Sequence, residues 1–228
     1  MNNPKILHCC KDVVFFGPDG AGKTTLAQDL VGYFRANGRR SRICWMRGRH
    51  SLAFMLAQIF TRLGYYRTIK SPDGSVSFDV FDPSLLPKIR RLWQFLEFIS
   101  ILPWIITRFY LPKALGYVVV SERYVVDTVV YLGYWLGEDT LLSFLSRVLL
   151  SFVPRDSFLI HMDAETSVLL QRRFDDVITE DYIVFQRKAY KTLARSLNAL
   201  TIDTTSSGAE ENFQRILQYI GSPSCGRR

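Results

Sequence analysis

The segment Gly17-Pro18-Asp19-Gly20-Ala21-Gly22-Lys23-Thr24-Thr25 constrains this chain more than any other. It follows an apolar run, Val13-Val14-Phe15-Phe16, and opens an amphipathic stretch over 21–37 that stops at Gly38. Strand, glycine-rich turn and helix in that order give G-x-x-x-x-G-K-[ST] the context it requires. Glycines let backbone N–H groups converge at a helix N-terminus, where the helix dipole favours an anion. The spacing assigns Gly17, Asp19, Gly20, Ala21, Gly22, Lys23, Thr24 and Thr25 to a cradle for the phosphates of ATP. Lys23 is expected to reach the β- and γ-phosphates, and the Thr24 hydroxyl to hold Mg²⁺. A glycine-rich turn without a ligand is the lesser alternative. Asp19 is unusual, because a carboxylate beside phosphates is costly unless it faces something else. It faces either an acceptor hydroxyl or its own turn, as an Asx-type stabiliser.

Around this loop, short β-branched runs alternate with longer helical stretches. Strands are expected at 13–16, 42–46, 117–120, 158–162 and 200–202. Helices are expected at 21–37, 51–63, 84–110, 165–174, 182–198 and 210–220, with one or two more over 124–153. Pro103 should kink or break the third of these. Pro72, Asp73 and Gly74 make 65–83 a loop or small hairpin, and 221–228 reads as a frayed tail. Strands that do not alternate polar and apolar residues argue a parallel sheet buried on both faces. The expected fold is therefore α/β, a P-loop three-layer sandwich with a five-stranded parallel sheet, helices on both faces and a short lid near 172–182. A single domain over 1–228 is expected, with acceptor-side helices near 50–110. In such sheets ligands bind beyond the carboxyl ends of the strands. That rule directs attention to 17–25, 47–50, 121–127, Asp163 and Asp203.

Composition narrows the class. The chain has 228 residues, 48% apolar and 22% charged, which suits one globular domain and excludes a disordered or fibrous chain. Its four cysteines, Cys9, Cys10, Cys44 and Cys225, form no C-x-x-C pair, so neither a zinc site nor a disulfide framework is expected. Reduced thiols and the lack of an apolar leader point to the cytoplasm. The apolar stretch 92–111 carries Glu97, Pro103 and Arg108, which favours a buried helix over a membrane span. The net charge is +8, and arginine dominates it, with six arginines between positions 35 and 49. Guanidinium grips phosphate with paired hydrogen bonds. That segment is either a solvated basic face or part of a site for phosphorylated ligands. Nucleic acid is not expected, because no recognition motif accompanies the charge.

Two further groups of residues complete the chemistry. The apolar run 117–120 leads into Ser121-Glu122-Arg123-Tyr124. Glu122 stands where a strand-end acid beside a phosphate loop would bind Mg²⁺, and Arg123 would point at an acceptor phosphate. A structural strand-end salt bridge is the alternative. Arg172 and Arg173 precede a polar loop and suit a lid over transferring phosphates. They equally suit a cationic helix end. His161 lies in an apolar run and is expected to be a core residue. Trp93, Phe95, Phe98, Trp104 and Phe109 read as core aromatics, of which one or two would line an acceptor pocket.

Taken together, these residues resemble the thymidylate kinase family of nucleoside monophosphate kinases. The loop 17–25 is similar to that family's G-x-D-G-x-G-K-[ST]-T, and Val118-Val119-Val120-Ser121-Glu122-Arg123-Tyr124 to its strand followed by Asp-Arg-Tyr. The segment 158–173 and Thr201-Ile202-Asp203 also look like its fourth and last strands, and Glu180, Phe185 and Tyr190 recur at its lid-to-helix spacings. The resemblance spans about 11–220 and implies transfer of phosphate from ATP to dTMP with Mg²⁺. It places Asp19 on the sugar 3′-hydroxyl, Arg123 on the acceptor phosphate, Glu122 near Mg²⁺ and Phe98 against the base. Arg47, Arg49 and Tyr131 complete the acceptor set. Gly20 stands where one branch has an arginine, which gives that work to Arg172 and Arg173. Lys23, Arg123, Arg172 and Arg173 form the catalytic set. Four departures bear on the acceptor: Glu122 replaces Asp, Asp127 replaces a small hydroxyl, Leu102 replaces an arginine, and Met46-Arg47-Gly48-Arg49-His50 replaces a Pro-Glu-Arg-like segment. A same-fold kinase with another acceptor, one with an apolar moiety near 98–104, and a non-catalytic nucleotide-binding protein remain alternatives. The partners implied are small nucleotides and a homodimer.

Overall fold

Val13, Val14, Phe15 and Phe16 are all fully buried, although successive side chains of a strand point to opposite faces. Both faces of this strand must therefore be covered, and the rest of the architecture follows. A computed structural model describes residues 12–46, 51–70, 77–81, 86–172 and 179–221. In chain order its elements are β1 (Asp12–Phe16), α1 (Lys23–Ala36), β2 (Ser41–Trp45), α2 (Ser51–Arg62), β3 (Tyr66–Lys70) and β4 (Ser77–Phe81). Next come α3 (Leu86–Trp104), α4 (Leu111–Ala114), β5 (Val118–Arg123), α5 (Val125–Leu136) and α6 (Phe144–Ser151). The chain closes with β6 (Phe158–Asp163), α7 (Thr166–Arg172), α8 (Glu180–Ser196), β7 (Leu200–Asp203) and α9 (Ala209–Gly221).

The five-stranded sheet has the order β2-β5-β1-β6-β7, and every pairing is parallel. Val13 and Phe15 face one layer, with Leu26, Leu30 and Phe34 of α1, Leu169 of α7 and Ile216 of α9. Val14 and Phe16 face the other, with Ile101 of α3, Val126 and Val129 of α5 and Leu193 of α8. This is the expected three-layer sandwich. The chain places β2 and β5 on one side of β1, then crosses to place β6 and β7 on the other. Such a reversal opens a crevice beyond the carboxyl end of the central strand, and residues 17–25 leave β1 at that point.

Three elements differ in detail from expectation. β5 runs to Arg123, so Glu122 and Arg123 lie within the strand rather than after it, because Trp45 of β2 pairs with Arg123. The α-helix through Pro103 ends one residue later, at Trp104. Ile105–Tyr110 winds as a π-helix and α4 continues it. A helix that lacks an N–H donor at a proline can absorb the defect by widening its next turn, and the Thr107 hydroxyl donates to the Pro103 carbonyl at 2.7 Å. The expected lid is helical from Glu180, where the Thr179 side chain caps α8 by accepting from Tyr182 N. Its other end, Arg172, is the last residue of α7, and Arg173 lies outside the described residues. So do Arg47, Arg49, Cys9, Cys10 and the tail. The segment 65–83 contains an antiparallel hairpin, β3 with β4.

Two predictions follow from the sheet. Gly17 has φ +145°, and a Cβ built on it would meet the Met162 carbonyl oxygen at 2.0 Å. Gly17→Ala should therefore destabilise the fold by about 3 kcal/mol, read as a lower urea midpoint. His161 is buried and stacked on Phe16 with centroids 5.6 Å apart, and burial lowers its pKa from 6.5 to about 4. Below 6.5 the unfolded chain takes up a proton that the folded chain refuses. Stability should fall as pH drops from 6.5 to 4, by about 3 kcal/mol from this residue. His161→Leu should flatten that part of the stability–pH curve.

Candidate functional site

Helix α1 opens directly out of the glycine-rich loop. Its N-cap is Gly22 in the left-handed conformation at φ 83°, and no side chain caps the turn. The early N–H groups of the helix are left for a ligand or water. They open onto a cavity of about 440 Å³ lined by Gly20, Ala21, Gly22, Lys23, Thr24, Thr25, Arg123 and Arg172. Thr204, Ser207 and Asn212 close its far side.

Thr24 and Glu122 are 98 residues apart in sequence, yet the Thr24 hydroxyl donates to Glu122 Oε1 at 2.5 Å. Two hard oxygen donors thus meet at the mouth of the loop. That donor set fits Mg²⁺, which binds through one or two protein oxygens and completes its shell with water and phosphate. Among the described residues no group of three or more His, Cys, Asp or Glu could hold a metal by itself.

Lys23 is not the solvent-facing side chain that a loop position suggests. It is buried, and its Nζ donates to the carbonyls of Gly17 at 2.7 Å and Pro18 at 2.6 Å. The ammonium curls back onto two carbonyls of its own loop. Arg172 is neither a loose lid arm nor only a cationic helix end. It donates to the Gly20 carbonyl at 3.2 Å and to Thr204 Oγ1 and O at 3.2 and 2.8 Å. It therefore ties the phosphate loop to the end of β7.

Asp19 and Arg123 meet each other. The Asp19 carboxylate is fully buried and accepts from Arg123 Nη2. Asp127 Oδ1 lies 4.0 Å from Arg123 Nη1 and accepts from the Tyr190 hydroxyl at 2.8 Å. Its Oδ2 accepts from Tyr124 N at 3.0 Å, closing a capping box at the start of α5. Burial raises the Asp127 pKa, and Arg123 is the largest opposing influence. Burial and the Asp127 charge together raise that of Tyr190. The acidic residue that replaces a small hydroxyl thus acts as a helix cap and a counter-charge.

Phe98 and Tyr131 do not join the cavity. Phe98 packs with Leu102 against Ile101, Ile105 and Phe109, where the sheet needs an apolar cover. Tyr131 packs against the cluster of Trp93, Leu132 and Leu136. Sequence reasoning missed Gln186, whose Oε1 accepts from Asp19 N at 3.2 Å. It also missed Thr204, and Arg187, which grips Asp163 at 2.9 and 3.1 Å. Thr204 directly follows the strand-end Asp203 and was within reach of the strand-end rule. Gln186 and Arg187 carry no local signal.

No protein-family model matches this chain, and no curated protein matches it. Because Lys23 bonds two loop carbonyls, Lys23→Ala should lower stability by about 1–3 kcal/mol, and if the loop cradles ATP as the motif leads one to expect, the same variant should weaken ATP binding. Calorimetric titration with ATP and a urea melt check the two effects separately.

Proposed function

We propose that this chain is a Mg²⁺-dependent phosphotransferase that moves the γ-phosphoryl group of ATP to a nucleoside monophosphate, with dTMP the foremost acceptor. The observation that carries this reading is the meeting of Thr24 and Glu122 at the phosphate loop. The resemblance of the loop and of the segment around Glu122 and Arg123 to thymidylate kinases supplies the acceptor. The Thr24 hydroxyl and the Glu122 carboxylate would hold Mg²⁺, which when bound neutralises charge on the β- and γ-phosphate oxygens. The loop N–H groups bind and orient the phosphates. Lys23 exchanges its neutral carbonyl partners for anionic oxygens, which are stronger acceptors. Arg123 binds the acceptor phosphate once it leaves Asp19, and Asp19 then accepts from a sugar hydroxyl. An acceptor phosphate oxygen attacks the γ-phosphorus, the bond to the β,γ-bridging oxygen breaks, and ADP departs. Arg172 offers donors to the charge that develops on the transferred group.

A second reading, a kinase of the same fold with a different acceptor, is favoured by one observation. Phe98 and Leu102 pack, partly buried, against the apolar layer, and this apolar pair offers a base no hydrogen bond.

The test is ADP release from ATP and Mg²⁺ with a panel of nucleoside monophosphates. Turnover with dTMP supports the proposal. Glu122→Gln should then lower kcat by about a hundredfold or more, while Glu122→Asp retains most of it. ATP binding without turnover on any nucleoside monophosphate would replace the first reading with the second.

A further inference from the structure

Asp127 stands in the first turn of α5, where it closes a capping box by accepting from Tyr124 N. Capping alone does not need its charge, because glutamine serves in a capping box as glutamate does. Asp127 is nonetheless a carboxylate, and it is buried. Burying a charge is costly unless partners compensate it. The dipole of α5 stabilises an acid in its first turn, and that stabilisation is independent of other side chains. The remaining partner of opposite charge is Arg123.

Two carboxylates hold the Arg123 guanidinium through two different nitrogens. Nη2 donates to Asp19, which comes from the phosphate loop. Nη1 lies 4.0 Å from Asp127 Oδ1. On the reaction proposed above, Asp19 is the partner that Arg123 gives up. Asp127 is fixed independently of any ligand. It accepts from Tyr124 N at 3.0 Å and from the Tyr190 hydroxyl at 2.8 Å. Tyr190 is buried in turn, its ring centroid 6.2 Å from that of Phe16 on β1 and 6.5 Å from that of His161 on β6. The central sheet thus sets the place of Tyr190, Tyr190 sets that of Asp127, and Asp127 faces the guanidinium.

We propose that Asp127 is a positioning residue for Arg123. It holds the guanidinium at Nη1 while Nη2 exchanges Asp19 for the acceptor phosphate. This inference rests on the phosphotransferase reading above and deepens it. With Asp127 in place, the guanidinium keeps an anionic neighbour throughout the exchange. A neutral residue there would shift more of the charge onto Asp19 and tighten the pair that an acceptor has to open. The acidic departure from the small hydroxyl at this position then serves acceptor binding as well as the helix cap.

Steady-state kinetics of Asp127→Asn, with ATP and dTMP varied in turn, test the proposal. Asparagine keeps the size and a capping oxygen and removes the charge. The KM for dTMP should rise about tenfold. The KM for ATP should change by less than about twofold, because its donors are not partners of Asp127. Asp127→Ser, which keeps a capping hydroxyl, should show the same split. With an active wild type, equal changes in both KM values, or none, would overturn the proposal and leave Asp127 a helix cap. Urea melts give a second readout that needs no turnover. Asp127→Asn should lower the midpoint of the wild-type chain. In an Arg123→Met background the same change should lower it less, or raise it, because the charge no longer has a guanidinium to face. An equal loss in both backgrounds would also overturn the proposal. Absence of turnover by the wild type with every nucleoside monophosphate refutes the acceptor reading instead, and the melts still judge the hold of Asp127 on Arg123.

Discussion

Arg123 is a nearly buried guanidinium, and the site is arranged around its need for compensation. Taking a charge out of water costs several kcal/mol unless partners replace the water. Asp19 comes from the phosphate loop, Asp127 from α5, and Arg123 itself from the end of β5. Tyr190 and Gln186 of α8 then satisfy Asp127 and the Asp19 backbone. One ionic cluster thus fixes the loop against a strand and two helices. Removing either carboxylate would strand a buried charge, so the position of the loop is coupled to the charge balance of this cluster.

The sandwich was legible because β1 has no polar face. Its four successive apolar residues demand cover on both sides, and only intervening helices can supply it. What sequence reading could not deliver were features decided by neighbours. β5 extends to Arg123 because β2 offers it a partner, which no property of residues 121–123 announces. After Pro103 the α-helix gives way to a π-helical segment, a form of break that a propensity argument does not specify.

At the site, legibility followed chain proximity. The loop, Lys23 and Thr24 lie within one motif, and Glu122 sits at the end of an apolar strand, where the topology directs a ligand. Their meeting follows from the fold. The pairing of Asp19 with Arg123 does not follow in the same way. Asp19 was read as facing an acceptor hydroxyl or its own turn, and Arg123 as facing an acceptor phosphate or forming a strand-end salt bridge; in the fold the two opposite charges pair with each other. Phe98 shows the same limit from the apolar side: an aromatic ring at a suggestive spacing went to the layer that covers the sheet.

The three cations around the cavity are all held by internal acceptors, and the acceptors differ in strength. Lys23 rests on two carbonyls, and Arg172 on carbonyls and a hydroxyl. Arg123 rests on a carboxylate. On the proposed reading, phosphate binding is an exchange of partners rather than the filling of empty donors. A phosphate oxygen outbids a neutral carbonyl readily, because a charge-assisted hydrogen bond is roughly twice as strong as a neutral one. It does not outbid a buried carboxylate unless that carboxylate finds a new donor. The ATP side of the cavity can therefore fill by itself, while release of Arg123 requires a ligand that brings both a phosphate for the arginine and a hydroxyl for Asp19. Such a ligand leaves neither group unpaired, and one that lacks the hydroxyl leaves a buried carboxylate exposed to the full desolvation penalty. Selectivity for the acceptor then arises from a pair already closed in the unliganded chain.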